Sequence, residues 1–506
     1  MILVVALAAA PAAAQDVHSH DAALGSVRFT NSCSASVQAD LTRAIALLHS
    51  FEFGTSREAF NTVVTADPTC AIALWGVALT QWGNPFAAGI KPAASIQAGK
   101  AAIDRARSIG AKSERERGFI DAAAKLFDPA DADQRTRVVA YRDAMAGVAA
   151  KFADDPEAST FYALALAFAA APTDKTYADQ LKAGALLEKL WVQQPQHPGI
   201  PHYMIHAYDA PPLASRAVDA ARRYGRIAPD APHALHMPSH TFTRLGYWQE
   251  SIDTNRLSAA AARRTNTVGE EMHASDYLEY AYLQLGQFDD AKRVVDSLAE
   301  MTSRFQGGAT AGAAPPAAAA FARAAIPARY ALERGAWKEA AALEVHPSPM
   351  FYPDAITWFA RAVGASRSKD AALIAGAQKN IDELQALSDK LGAANEPYWA
   401  EQVTIQRLGA SAWLALAQQQ NDRALALMRE AAEREDRTEK SAVTPGPLAP
   451  AHEMLGEMLL ELNHPQDALA EFDKTMAKEP HRWRAQKGAA AARSAVQSPR
   501  SSKPTR

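Results

Sequence analysis

Cysteine is almost missing from this chain: 506 residues hold two, Cys33 and Cys70. That rules out a CxxC redox motif and any thiolate-built zinc knuckle. An excess charge is missing as well. The 53 basic and 56 acidic residues leave a net charge of −3, and the signs are mixed along the chain. No electrostatic reason exists to expect nucleic acid or an anionic membrane as partner. No apolar run is long and uncharged enough to cross a bilayer, so no membrane span is expected. Strand-favouring residues are sparse outside short clusters. The chain also lacks a Gly-rich phosphate loop, a G-x-S-x-G nucleophile turn and an H-E-x-x-H zinc motif, which removes the commonest signatures of nucleotide, ester and peptide chemistry.

What is present is alanine-rich and helix-favouring. Ala, Leu, Glu, Gln, Lys and Arg lose little rotamer freedom in a helix, so an all-α chain is expected. Its length exceeds what one compact core organises, which points to several domains or a repeat array. The N-terminus, MILVVALAAAPAAAQ, has a short apolar stretch followed by Ala12-Ala13-Ala14. Residues 1–14 read as a secretory signal peptide without its basic n-region, which predicts a periplasmic or secreted protein. In an exported chain an even cysteine pair is permissive for a disulfide, and Cys33–Cys70 is the expected bond.

Self-similar segments recur. His452–Pro480 carries Leu455, Gly456, Ala468, Phe472 and Pro480 at helix-pair spacing. LGYWQESIDTN (245–255), LGQFDDAKRVV (285–295) and RGAWKEAAAL (334–343) share a Gly at the inter-helix turn with an aromatic behind it, and Phe60 with Asp67-Pro68 fits the same frame near the start. These segments resemble the tetratricopeptide (TPR) repeat, whose small and bulky positions let two helices pack closely. The resemblance implies an α-solenoid of antiparallel helix pairs, roughly ten or more by length. The expected layout is an N-terminal solenoid over 30–300, a flexible break at Gly307–Pro316, C-terminal repeats over 317–490 and a disordered tail over 491–506.

Histidine is unevenly placed. Of 14 histidines, six fall within residues 199–284: His202, His206, His233, His236, His240 and His273. An even spread would put about two to three there. Counted from the turn glycines, His236 and His240 repeat the register of His202 and His206. His273, Asp276 and Tyr280 repeat that of His233, His236 and His240. By the TPR resemblance these registers line the concave groove. Pairs at i and i+4 share a helix face, and neutral imidazoles there suit zinc, copper, iron or nickel, as one ion or two. The expectation is one binding volume built by His202, His206, His236 and His240, with His233, His273 and Asp276 at its edge. Glu279 is a further ligand or orienter, Glu270 and Glu271 are weaker ones, and Tyr280 and Arg244 line the groove. Pro238 lies between His236 and His240, so this helix is either kinked or begins late, with His233 and His236 on its approach. His18 and His20 form a weak copper-binding tail. Glu453 and Glu457 read as a solvated acidic face.

Three functions fit this pattern. The first is a TPR protein with a His-lined transition-metal site that binds a peptide, protein or small-molecule ligand in its groove. The second is a metal-dependent hydrolase or oxidoreductase using that site. The third is a metal-free interaction scaffold, the usual use of the fold.

Overall fold

The structure is a computed structural model and describes residues 23–87, 90–128, 132–305, 312–314 and 316–497. The signal-peptide segment, His18 and His20, most of the Gly307–Pro316 break and the last nine residues of the tail lie outside the described residues.

Twenty-four α-helices occur among the described residues, and no strand. With Pro232–His236 and Pro238–Leu245 taken as one interrupted helix, they form eleven antiparallel pairs and a closing helix, Trp483–Gln497. The helices pack chiefly on those one or two places away in sequence. This is a TPR-like α-solenoid, and the reason is visible at the pair interfaces. A Cβ on Gly456 would stand 2.9 Å from the Phe472 ring, and one on Gly76 would stand 2.2 Å from Phe60. Only glycine lets those rings cover the facing helix. Gly246 and Gly286 end their helices at φ +68° and +69°, a left-handed turn that costs other residues Cβ strain.

The Pro238 question resolves as a kink. Met237 keeps helical dihedrals (φ −51°, ψ −37°), and its N–H still donates to the His233 carbonyl at 2.9 Å. The proline takes the first position of the second segment, where a missing N–H is tolerated. Helical register therefore survives from His233 to His240.

Cys33 and Cys70 are bonded, 37 residues apart. Cys70 caps the helix Ala71–Trp82, so the bond ties the N-terminal segment to an early helix. Closing a loop of this size contributes about 3–4 kcal/mol in the chain-entropy account. No described helix is long and apolar enough to cross a membrane.

The solenoid also folds back on itself. The Trp248 indole N–H donates to the His481 carbonyl at 3.2 Å, and Tyr280 donates to Glu479 at 2.9 Å. Glu453 and Glu457 correct the expectation of a solvated acidic face. Glu453 is buried against Arg482, with Nε at 2.7 Å, and Glu457 accepts from Arg367 and Arg484. The cations that dry these two carboxylates arrive from helices distant in sequence, which spacing along the chain does not reveal.

Candidate metal centre

Four helical segments supply the six histidines. Gly199–Ala207 carries His202 and His206, and Pro232–His236 carries His233 and His236. Pro238–Leu245 carries His240, and Val268–Gln284 carries His273. All six are buried, with exposures from 0 to 8 %. They do not form one four-histidine volume. They form two sets of three, His202/His206/His233 and His236/His240/His273, and within each set one nitrogen per ring lies within 4.8 Å of the others. His233 and His273, expected at the edge, are full members. The division falls between His233 and His236, three residues apart on one short segment before the kink: His233 meets His202 and His206, while His236 and His240 meet His273. The sets adjoin, with ring centroids 5.9 Å apart for His206–His240 and 6.1 Å for His233–His236.

The proton positions follow from the neighbours. The His236 Nδ1–H donates to Asn255 Oδ1 at 2.8 Å. The Asn255 amide cannot be turned round, because its Nδ2 donates to the Ser251 carbonyl at 2.7 Å. The His240 Nδ1–H donates to the Asp209 carboxylate at 3.0 Å. Both Nε2 atoms therefore carry lone pairs, and they face each other at 3.1 Å. On the other set, the His202 Nδ1–H donates to the His49 carbonyl at 2.6 Å, again leaving Nε2 as a free lone pair. The Nε2 atoms of His202 and His206 and both nitrogens of His233 are buried without a hydrogen-bond partner. Each such atom costs about 1–3 kcal/mol.

Burial sets the charge state. It pushes His202, His206 and His236 well below the usual imidazole value. His240 is pushed down to about 4 and His273 to about 3, again chiefly by burial. Neutral imidazole is the form that ligates metal. Asp209 is partly buried, which works against its charge, yet Lys440 and Arg244 hold it well below the carboxylate range. Arg244 Nε donates to it at 2.8 Å and Lys440 Nζ at 3.3 Å. Arg244 thus serves the protein's own carboxylate rather than a ligand's.

Asp276 and Glu279 stand outside both sets. Asp276 is held by the buried Arg329 guanidinium, and Glu279 lies 3.5 Å from it. Tyr280 is fully buried and tied to Glu479 and Arg482. Glu270 approaches the first set, with its Oε2 3.8 Å from His233 Nδ1, while its other oxygen accepts from Ala314 N–H. Glu271 pairs with Arg304 at 2.7 Å instead.

Several contributors had no sequence signal. Phe51 stands 4.3 Å from His202 and 5.7 Å from His233, and Phe86 stacks on His206 at 3.8 Å, so apolar rings wall the first set. Glu52 beside them is pushed up to about 8, first by burial and then by Glu270. Asn255 lies on the next helix, and Lys440 is 231 residues from Asp209. Asp209, three residues after His206, was the one legible hint. The proline-rich approach to the last repeat runs past the centre: Tyr277 donates to the carbonyls of Ala442 and Thr444, both at 3.0 Å. The chain itself lies where an open groove was expected.

Neither a family profile nor a curated protein matches this sequence. Among solved structures the chain is similar to yeast Tom70, at 10% identity over 91% of this chain and 90% of that one, with a TM-score of 0.35. It is similar to the APC/C hetero-tetramer Cut9–Hcn1, at 10% identity over 92% and 77%, with a TM-score of 0.38. A tetratricopeptide repeat protein from Parabacteroides merdae matches at 11% identity over 74% and 99%, with a TM-score of 0.28. At such distances these likenesses carry no argument about site, ligand or partner.

Proposed function

We propose that this chain is an exported TPR-like solenoid that holds two transition-metal ions, one in each three-histidine set. The observation that supports it most is the His236–His240 contact. Two acceptor nitrogens 3.1 Å apart, each with its proton committed elsewhere, repel unless a cation stands between them. Two nitrogens bound at about 2.0–2.1 Å to one tetrahedral ion lie about 3.3 Å apart. The partners of the Nδ1 atoms, Asn255, Asp209 and the His49 carbonyl, are the orienting acceptors that metal-bound histidines ordinarily have. Three imidazoles per ion leave a coordination position open, which extends the reading to a metal-dependent enzyme. A peptide lying on the histidines fits less well, because all six are buried and the rings of Phe51 and Phe86 stand against the first set. Export rests on the N-terminal apolar stretch and on the Cys33–Cys70 bond.

Metal analysis of protein purified without a His-tag and reconstituted with zinc or copper tests this. Two ions per chain are expected. His206→Ala combined with His240→Ala removes one ligand from each set and should abolish tight binding while circular dichroism stays helical. Wild-type protein that takes up no metal would refute the reading. Export is checked separately by sequencing the mature N-terminus, which should begin after Ala14.

A further inference from the structure

We infer that Glu270 is the fourth ligand of the first ion, so that the two ions sit in unlike shells. The first is closed by three imidazoles and a carboxylate. The second, held by three imidazoles alone, keeps the exchangeable position. This rests on the two-ion reading above and adds to it which ion is open to a ligand. Three observations carry it.

The first is a pair of orphaned atoms. Glu270 Oε2 and His233 Nδ1 are both buried without a hydrogen-bond partner. They stand 3.8 Å apart, too far to bond to each other. A nitrogen and an oxygen bound at about 2.0–2.2 Å to one tetrahedral zinc ion lie about 3.4 Å apart. A shift of about 0.4 Å brings both onto one ion.

The second is charge. Asp209, Glu271 and Asp276 each meet an arginine. Glu270 meets no lysine or arginine among the described residues, and His233 is its ion-pair neighbour. A buried carboxylate oxygen with neither cation nor donor is costly, and a metal ion against it relieves that cost. Beside the second set both oxygens of Asp209 are engaged, Oδ1 by Arg244 and Oδ2 by His240 and Lys440.

The third is aim. Glu270 Oε1 accepts from the Ala314 N–H, and a Cβ on Gly312 would stand 2.6 Å from that same oxygen. The Ala313 carbonyl accepts in turn from Asn84 Nδ2 at 3.1 Å, two residues before the Phe86 ring that stacks on His206. The 312–314 segment thus fixes one carboxylate oxygen and leaves the other turned to His233. Glu52, the other carboxyl here, accepts from the His233 backbone N–H, so its hydrogen bond goes to the main chain rather than to an imidazole.

The experiment loads untagged protein with Co(II), whose visible bands report its coordination, and titrates azide as the probe for an exchangeable position. Wild type should bind two cobalt ions, and azide should shift the bands of one. His273→Ala spoils the second set and should keep one cobalt ion that ignores azide. Glu270→Gln opens the first shell: both ions should then respond, and the first should be held about 10-fold or more weakly. Circular dichroism guards against misfolding, and wild type with His273→Ala decides the matter if Glu270→Gln does not fold. If both ions or neither respond in wild type, the inference is overturned and the two-ion reading stands. The same holds if Glu270→Gln still shows one responsive ion, which would make the carboxylate an orienting acceptor for His233. It holds too if Glu52→Gln, and not Glu270→Gln, produces the second response. If wild type takes up neither cobalt nor zinc, both fall.

Discussion

Two clusters of buried histidines lie side by side in this protein, and they are built on opposite principles. In the first, His49, His197 and Glu157 form a closed hydrogen-bond set. The His49 Nε2–H donates to Glu157 at 3.1 Å, and its Nδ1 accepts from Tyr203 O–H at 2.9 Å. The His197 Nε2–H donates to the other Glu157 oxygen at 2.9 Å, and its Nδ1 accepts from Gly199 N–H at 3.1 Å. Every ring nitrogen has a partner of the complementary kind. The three groups meet the spacing of a metal site, yet no lone pair is left to bind one. The same spacing around Cys33, Asp67 and Cys70 is equally uninformative, because the two sulfurs are bonded to each other. In the six-histidine centre the Nε2 lone pairs of His236 and His240 face each other, and those of His202, His206 and His233 face nothing. Proximity alone does not mark a metal site; the fate of each nitrogen does.

The largest test of this contrast is Glu157→Ala. It leaves two buried imidazoles without their acceptor, and breaking a buried pair of this kind costs about 3–5 kcal/mol. Urea denaturation should show that loss, while metal content per folded molecule is unchanged. If the variant is as stable as wild type, the closed cluster is not structural.

Acid should separate the clusters next. His202, His206, His236, His240 and His273 have folded values depressed below 6.5, so the unfolded chain binds more protons. Their contribution is complete above pH 6.5 and is lost as pH falls towards about 4 for His240 and about 3 for His273. For the metal-free protein the loss should be on the order of a few kcal/mol. Glu157 is also depressed: burial acts against it, but His197 and His49 prevail. Its contribution is present above the usual carboxylate value and disappears only below it. Thermal melts of metal-free protein should therefore fall first between pH 6.5 and 4.5, then again at lower pH. A flat profile down to pH 4.5 would contradict the assignment of neutral histidines to the open centre.

Asn255→Ala sharpens the comparison from the side of the neighbours. It frees His236 to turn and to change tautomer, and removing such an orienting acceptor typically weakens metal affinity about 10–100-fold. Competition with a chelator would read the change, and unaltered affinity would mean that the Asn255 contact is incidental. The smallest effect is expected from His240→Gln in metal-free protein. It removes one of two facing lone pairs, so stability should change by less than about 1.5 kcal/mol, far below the Glu157→Ala loss. A large destabilisation would place His240 with the structural cluster.

The sequence made the helices and their pairing legible because both are local. Gly456 with Phe472 and Gly246 at its turn act within one hairpin, at separations a repeat pattern reveals. The histidine register was legible for the same reason, and it picked out six residues that the structure brings together. Its division was not. It falls between His233 and His236 on one short segment, and follows from where the neighbouring helices deliver His202, His206 and His273 rather than from spacing along the chain. Asp276 shared the register of His236, yet Arg329, 53 residues away, claims its carboxylate.

Composition and periodicity by themselves determined an all-helical repeat chain and a concentration of imidazole in its middle, since helix propensity and i,i+4 spacing are properties of short segments. Tertiary structure decided which nitrogens keep a free lone pair. That depends on acceptors delivered from elsewhere: Asn255 from the next helix, the His49 carbonyl from 153 residues away, and Asp209 held in place by Lys440. Burial completes the decision, because only with water excluded does an unmatched imidazole nitrogen carry a cost that a metal ion would relieve.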